Sequence, residues 1–286
     1  MEITVDLVQT LVREQFPQWG DLPVYPVAKS GHDNRTFHLG EKMAVRLPSG
    51  EGYAGQVMKE NRWLPYLQRH LDYPISQPIA VGSPAAGYPF SWSVNVWLEG
   101  ETVADSAAAD KNRLAGALAR ALKQLQAVDC SGGPEAGPQN YYRGGDLRVY
   151  QPETLAALEG LKDSLPAARL REIWDRCLST VYTGPAVWVH GDVAPGNILL
   201  REGRFYALID FGVLGTGDPA CDYAMAWTYF DQDSRGVFLE GLPVDMIQRA
   251  RGWALWKALI TCRNPDPALR ENATHTLEAI LREAAG

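Results

Sequence analysis

Apolar residues recur as Leu7, Val8, Leu11 and Val12, a spacing that lays one stripe along a helix over 4–16. Short alternating runs follow at 24–30, 34–39 and 42–47, separated by Gly31 and Gly40-Glu41, and these predict strands joined by turns. A helical pattern spans 55–71 and meets Pro65, where a kink or break is expected. Two more apolar runs, 77–81 and 88–98, complete a small sheet region with one prominent helix. Beyond Glu99-Gly100-Glu101 the period changes. Residues 106–128 carry Leu114, Leu118, Leu122 and Leu125 at helical spacing, with Asp105 or Ser106 as the expected N-cap. A Gly/Pro loop over 131–138 precedes helices near 152–163 and 167–182, then a β segment within 187–210, then helices to the end. The pattern predicts an α+β chain of two lobes, 1–98 β-rich and 99–286 mainly helical, with a ligand cleft between them.

Composition adds exclusions. With 286 residues, 46% hydrophobic and 21% charged, the chain reads as a soluble globular protein. Cys130, Cys177, Cys221 and Cys262 lie far apart and form no C-x-x-C pair, so reduced, mostly buried thiols are expected. The N-terminus lacks a basic region followed by an apolar core, and no run approaches the length of a membrane span. A cytoplasmic location without a membrane partner is the expectation. A net charge of −7 argues against nucleic acid, whose phosphates it repels.

The chemistry concentrates in His190-Gly191-Asp192 through Asn197, followed by Ile209-Asp210-Phe211-Gly212. Apolar runs at 198–200 and 205–209 flank a turn at 201–204. Paired as a hairpin, they place Asn197 at the start of one strand and Asp210 at the end of the other, within about two residues of register. One amide oxygen and one carboxylate then converge, a hard-oxygen pair that suits Mg²⁺ when phosphates supply the remaining ligands. Asp192 sits five residues before Asn197 in a loop constrained by Gly191, Pro195 and Gly196. A carboxylate there can take the proton of an attacking hydroxyl. The histidines His32, His38, His70, His190 and His275 show no metal-ligand spacing.

H-G-D-x-x-x-x-N followed by I-D-F-G resembles the aminoglycoside phosphotransferase family, relatives of protein kinases, as does Gly217-Asp218-Pro219-Ala220-Cys221-Asp222. The resemblance implies a bilobal protein-kinase-like fold, with Asp192 as base and Asn197 and Asp210 binding Mg²⁺. His190 and Asp222 would support the catalytic loop. Gly31 and Asn34 would belong to the phosphate-covering loop, although G-x-G-x-x-G is missing. Arg46 stands where the family's phosphate-binding lysine is expected. Lys42, about 13 Å away along the strand, is too far to replace it. Glu60 would be Arg46's ion-pair partner. Val96 and Leu98 would meet the nucleobase through their backbone, and Ile209 would floor the pocket.

The implied activity is transfer of phosphate from ATP or GTP to a hydroxyl of a small molecule, first of all an aminoglycoside-like antibiotic. Macrolides, amino sugars, choline, homoserine and methylthioribose are alternative acceptors, and a catalytically silent nucleotide-binding module is the rival of another class. A polycationic acceptor is expected from the charge of −7 and from Asp231, Asp233 and Glu240. Trp227, Trp253 and Trp256 are expected in the acceptor wall or in the core. A monomer or weak dimer is expected.

Overall fold

Val8, Leu11 and Val12 of helix α1 (Val5–Gln15) bury completely against one face of a five-stranded sheet. The computed structural model describes residues 2–106 and 110–283. The sheet comprises β1 (Val24–Pro26), β2 (Asn34–Leu39), β3 (Met43–Pro48), β4 (Pro78–Gly82) and β5 (Trp92–Val96), in the order β1-β2-β3-β5-β4, every pair antiparallel. Period-two alternation sorts its residues. Val45, Leu47, Trp92 and Val94 join the core under α1, while Ala44, Arg46, Ser93 and Asn95 take the other face.

Helix α2 (Glu51–Gln68) starts earlier than its pattern predicts, with Gly50 as N-cap, and runs through Pro65. Pro65 lies in the last turn, where the missing N–H costs one hydrogen bond to Asn61 without ending the helix. Strand β6 (Glu101–Thr102) pairs with the hairpin β8 (Ile198–Arg201) and β9 (Arg204–Leu208). The predicted helix over 106–128 forms as α3 (Lys111–Ala127), and its described N-cap is Asp110; residues 107–109 lie outside the described residues. Asp105 instead accepts from Thr102 and pairs with Lys29 across the cleft mouth. Helices α4 (Gln151–Leu161), α5 (Ala167–Leu178), α6 (Met225–Thr228), α7 (Gln232–Leu239), α8 (Val244–Thr261) and α9 (Pro267–Glu283) complete the larger part, with strands β7 (Val187–Val189) and β10 (Gly215–Gly217) paired beside them.

Two hydrophobic cores result. The smaller lies between α1 and the sheet, and the larger collects the helices. Leu64, Leu67, Leu71, Tyr73 and Ile75 precede residue 98 yet pack into the larger core, so the far half of α2 is embedded outside its own sheet. All four cysteines are free thiols, Cys177 and Cys221 buried. No helix among the described residues is long and apolar enough to cross a membrane.

One charge in this scaffold is costly. The Nζ of Lys59 on α2 is buried without a hydrogen-bond partner among the described residues. Burial pushes it down to about 8, with Glu60 opposing. Between about 8 and 10.5 the unfolded chain therefore binds more protons than the folded one, so stability rises with pH across that window. Lys59→Met is expected to raise Tm by about 2–4 °C at pH 7, and the advantage should shrink by pH 10. Thermal unfolding at both pH values checks this; a gap that does not change with pH would contradict it.

Candidate active site

A cleft of about 430 Å³ opens between the sheet and the helical part. One wall comes from Ala44 and Arg46 on β3, Asn95 and Val96 on β5, and Trp97-Leu98 beyond it. The opposite wall is Asn197, Leu199, Ile209 and Asp210 from the hairpin. Gly31, Arg46, Val96, Leu98, Ile209, Asn197 and Asp210, all predicted from sequence, thus line one space. Leu98 N–H makes no hydrogen bond among the described residues and is free for a ligand. A second cavity of about 190 Å³, beside Asp218 and Arg249, holds none of the predicted residues.

Alternation on β3 aims Arg46 into the cleft, where it ties three elements together. Nη1 donates to both Glu60 oxygens, at 3.1 and 2.8 Å, and Nη2 donates to Asp210 Oδ1 at 2.8 Å. Arg46 and Glu60 are 12% and 5% exposed at their side chains, so the pair is desolvated rather than a wet surface pair. Burial alone would lower the Arg46 pKa, but Glu60 and Asp210 together raise it, and the guanidinium stays charged. Burial raises the Glu60 pKa, Arg46 lowers it and Asp210 raises it again. One turn before Glu60, Gln56 donates to Asp33 and faces Asn34, fixing the loop over 30–34. A Cβ on Gly212 would lie 2.6 Å from the Gln56 side-chain oxygen, so the backbone after Asp210 also rests on α2. Asn34, expected among the nucleotide-binding residues, is buried against Gln56 and lies behind the wall, because its amide is taken up in anchoring the loop.

The loop that carries Asp192 is held through its backbone. Both oxygens of buried Asp222 accept main-chain N–H groups, from His190 at 2.8 Å and Gly191 at 2.7 Å. The His190 Nδ1 accepts from Asp192 N–H, and its Nε2–H donates to Ile209 C=O at 3.0 Å, which assigns the tautomer. Gly191 has φ +85°, and a Cβ there would meet Val213 C=O at 2.7 Å. Ile209 N–H bonds Asn197 C=O at 3.0 Å, which is the hairpin register the sequence predicts.

Asn197 Nδ2 donates to the Asp192 carbonyl and to Asp192 Oδ2, each at 2.9 Å. That spends the amide nitrogen and leaves Asn197 Oδ1 and Asp192 Oδ1 without protein partners among the described residues. Asp210 is 39% exposed, keeps its second oxygen free, and holds a left-handed backbone at φ +62°, a strained conformation of the kind found at functional sites. The donor set fits magnesium: two hard oxygens, Asn197 Oδ1 and Asp210, with no cluster of three metal-ligating residues among the described residues.

Sequence reasoning missed Asn95 and Ser76, which line the cleft with buried side-chain polar atoms that have no hydrogen-bond partner among the described residues. Asn95 interrupts an apolar strand, which was the available signal. The acids Asp231, Asp233 and Glu240, expected to attract a cation, sit at the ends of α7, where Asp231 caps the helix; α7 packs on α3. Trp227, Trp253 and Trp256 are buried core residues.

A model of a family described as a phosphotransferase enzyme family matches residues 25–259. The GDP complex of wild-type aminoglycoside 2'-phosphotransferase-IIIa is 19% identical, with a TM-score of 0.68 over 98% of this chain and 100% of that one. Macrolide 2'-phosphotransferase MphH from Brachybacterium faecium, solved as the apoenzyme, is 22% identical, with a TM-score of 0.63 over 95% and 98%. The streptomycin–ATP–APH(2")-IIa ternary complex is 18% identical, with a TM-score of 0.61 over 97% of each chain. No curated protein sequence matches this chain. The structural likeness identifies the bilobal, kinase-like α+β fold.

Removing Arg46 leaves two acids facing each other. Arg46→Ala is expected to cost about 3–5 kcal/mol, the scale for breaking a buried pair. Glu60, its pKa already raised by burial, then binds a proton more tightly folded than unfolded, so stability falls as pH rises through its folded pKa. Urea unfolding should show a smaller deficit at pH 5 than at pH 8. With Glu60→Gln as partner, a double-mutant cycle should give coupling above about 0.5 kcal/mol. Additivity would mean the ion pair is not made in solution.

Proposed function

Because the chain belongs to the phosphotransferase enzyme family, we propose that it is a small-molecule kinase, transferring the γ-phosphate of ATP or GTP onto a hydroxyl. The observation that carries this reading is the linkage of Asp192 to Asn197, which leaves one oxygen of each free and ties Asp192 to a residue that lines the same cleft as Asp210. Asp192 Oδ1 accepts the proton of the substrate hydroxyl as that oxygen attacks the γ-phosphorus. The new O–P bond forms, the bond from the γ-phosphorus to the β–γ bridging oxygen breaks, and nucleoside diphosphate leaves. Magnesium bound at Asn197 and Asp210 would neutralise charge on the phosphates. The Arg46 guanidinium supplies the fixed positive charge that the usual lysine would, with a fork able to engage phosphate and carboxylate together. This counts against a catalytically silent module, since the arginine retains its ion pair with the helix carboxylate.

The buried amide of Asn95 bears on the nucleotide. It offers a donor and an acceptor, so by turning about its terminal bond it can meet either the 6-amino group of adenine or the 6-oxo group of guanine. Both ATP and GTP are accordingly expected to serve. Aminoglycosides and a macrolide are the acceptors named for the neighbours, and the charges around Asp192 decide whether a polycation suits this chain.

Asp192→Asn is expected to lower kcat by at least about 10²-fold while leaving nucleotide Kd near wild type. Asp210→Ala should abolish magnesium-dependent nucleotide binding in calorimetry. Normal Mg–ATP binding by that variant, or an undiminished rate in Asp192→Asn, would remove the corresponding role. Asn95→Leu should raise KM about 3–10-fold for ATP and GTP alike, the loss of one neutral hydrogen bond.

A further inference from the structure

Two cations, Arg143 and Lys257, gather near the catalytic loop. Arg143 sits against the catalytic loop, its Cβ 3.1 Å from where a side chain on Gly191 would begin. Its guanidinium lies over two buried indoles, 5.0 Å from the ring centre of Trp253 and 5.2 Å from that of Trp256. None of the guanidinium N–H groups has a hydrogen-bond or ion-pair partner among the described residues. Lys257 on α8 places its ammonium 5.9 Å from the centre of Trp256, also without hydrogen bond or ion pair. Lys257 keeps a face open to solvent. Even so, desolvation lowers its pKa, Arg143 lowers it further, and Asp192 and Glu153 oppose, so Lys257 is within electrostatic reach of all three.

The loop that presents Arg143 is strained and tightly held. Tyr141 and Tyr142 both take left-handed backbone, at φ +51° and +54°. Buried Asn140 accepts from Gly137 N–H and donates to Arg143 C=O, and the Tyr150 hydroxyl donates to Tyr141 C=O at 2.6 Å. Two consecutive non-glycine residues in that region persist only where the surroundings impose it, and such strain gathers at ligand-binding positions. The neighbouring acids are engaged: Glu153 accepts from the Trp256 indole N–H at 2.7 Å, Asp33 accepts from Gln56, and Asp192 accepts from Asn197.

We propose that Arg143 and Lys257 form the acceptor subsite, and that the acceptor carries an anionic group, a carboxylate or a phosphate, near the hydroxyl that Asp192 deprotonates. An arginine held against aromatic rings with its N–H groups unpaired presents several donors to a planar or tetrahedral anion. A polycationic acceptor would bring ammonium groups against both cations. The inference rests on the kinase reading above, whose own test, Mg–ATP calorimetry with wild type and Asp210→Ala, needs no acceptor and so fails separately.

The experiment offers Mg–ATP and four acceptor arms: hydroxy and sugar acids, sugar phosphates, neutral sugars and polyols, and aminoglycosides with a macrolide. Nucleotide consumption is measured, and each product is confirmed by mass. Turnover is expected in the first or second arm, and which of these responds identifies the anion as carboxylate or phosphate. With the anionic acceptor, Arg143→Met should raise KM at least about 30-fold and change kcat less than about 3-fold, the scale of a lost charge-assisted contact. Arg143→Lys should recover part of that loss, which a purely structural stack on the tryptophans would not do. Should Arg143→Met fold poorly by thermal unfolding, Lys257→Met carries the same expectation at a position with an open face. Turnover confined to the neutral or polycationic arms overturns the proposal. So does an unchanged KM in both variants, or no turnover in any arm while Mg–ATP still binds.

Discussion

The contact between Arg46 and its two carboxylates sets the geometry of the whole cleft. Glu60 belongs to a helix, Asp210 to the end of a hairpin, and Arg46 to the sheet, so a single guanidinium joins three elements through contacts of 2.8 Å. Its charge answers two acids in a desolvated place, where an unpaired carboxylate is expensive. The cleft is thereby held in one shape, with the ordering cost met during folding.

A second constraint works through the main chain. Asp222 holds two successive N–H groups, and His190 joins the loop before Asp192 to the strand before Asp210. Neither side chain lines the cleft, yet both determine where the reactive carboxylates stand. Asn197 then couples the two halves, taking Asp192 with its nitrogen and leaving its oxygen outward. Positioning of this kind is what phosphoryl transfer asks of a protein, since little covalent chemistry falls to the side chains.

Much of this was legible in the residues. Asn197 and Asp210 follow from hairpin register, because pairing of two apolar runs leaves their ends no choice of neighbour. The α1 stripe and β2 were readable because each shows a clean period. Helix α2 begins four residues before its predicted start and ends three before its predicted end, because Gly50 and Gly52 blur the helical period there and packing overrides that weak propensity. Asn34 was placed by motif position alone, and its partner Gln56 lies on another element that no local pattern reveals. The charges around the catalytic loop were hidden for a different reason. A net charge of −7 is a sum over the chain, whereas Arg143 and Lys257 are brought towards that loop only by folding, and Asp231 serves as a helix cap elsewhere.

The divided loyalty of α2 has a consequence for control. Its first half carries Gln56 and Glu60 to the cleft, while Leu64 and Leu67 are sunk in the larger core. Swinging Glu60 away from Arg46 would expose those leucines, at about 1.5–3 kcal/mol for each. A helix pinned in this way cannot serve as an on–off lever of the sort that depends on rotating such a helix outward.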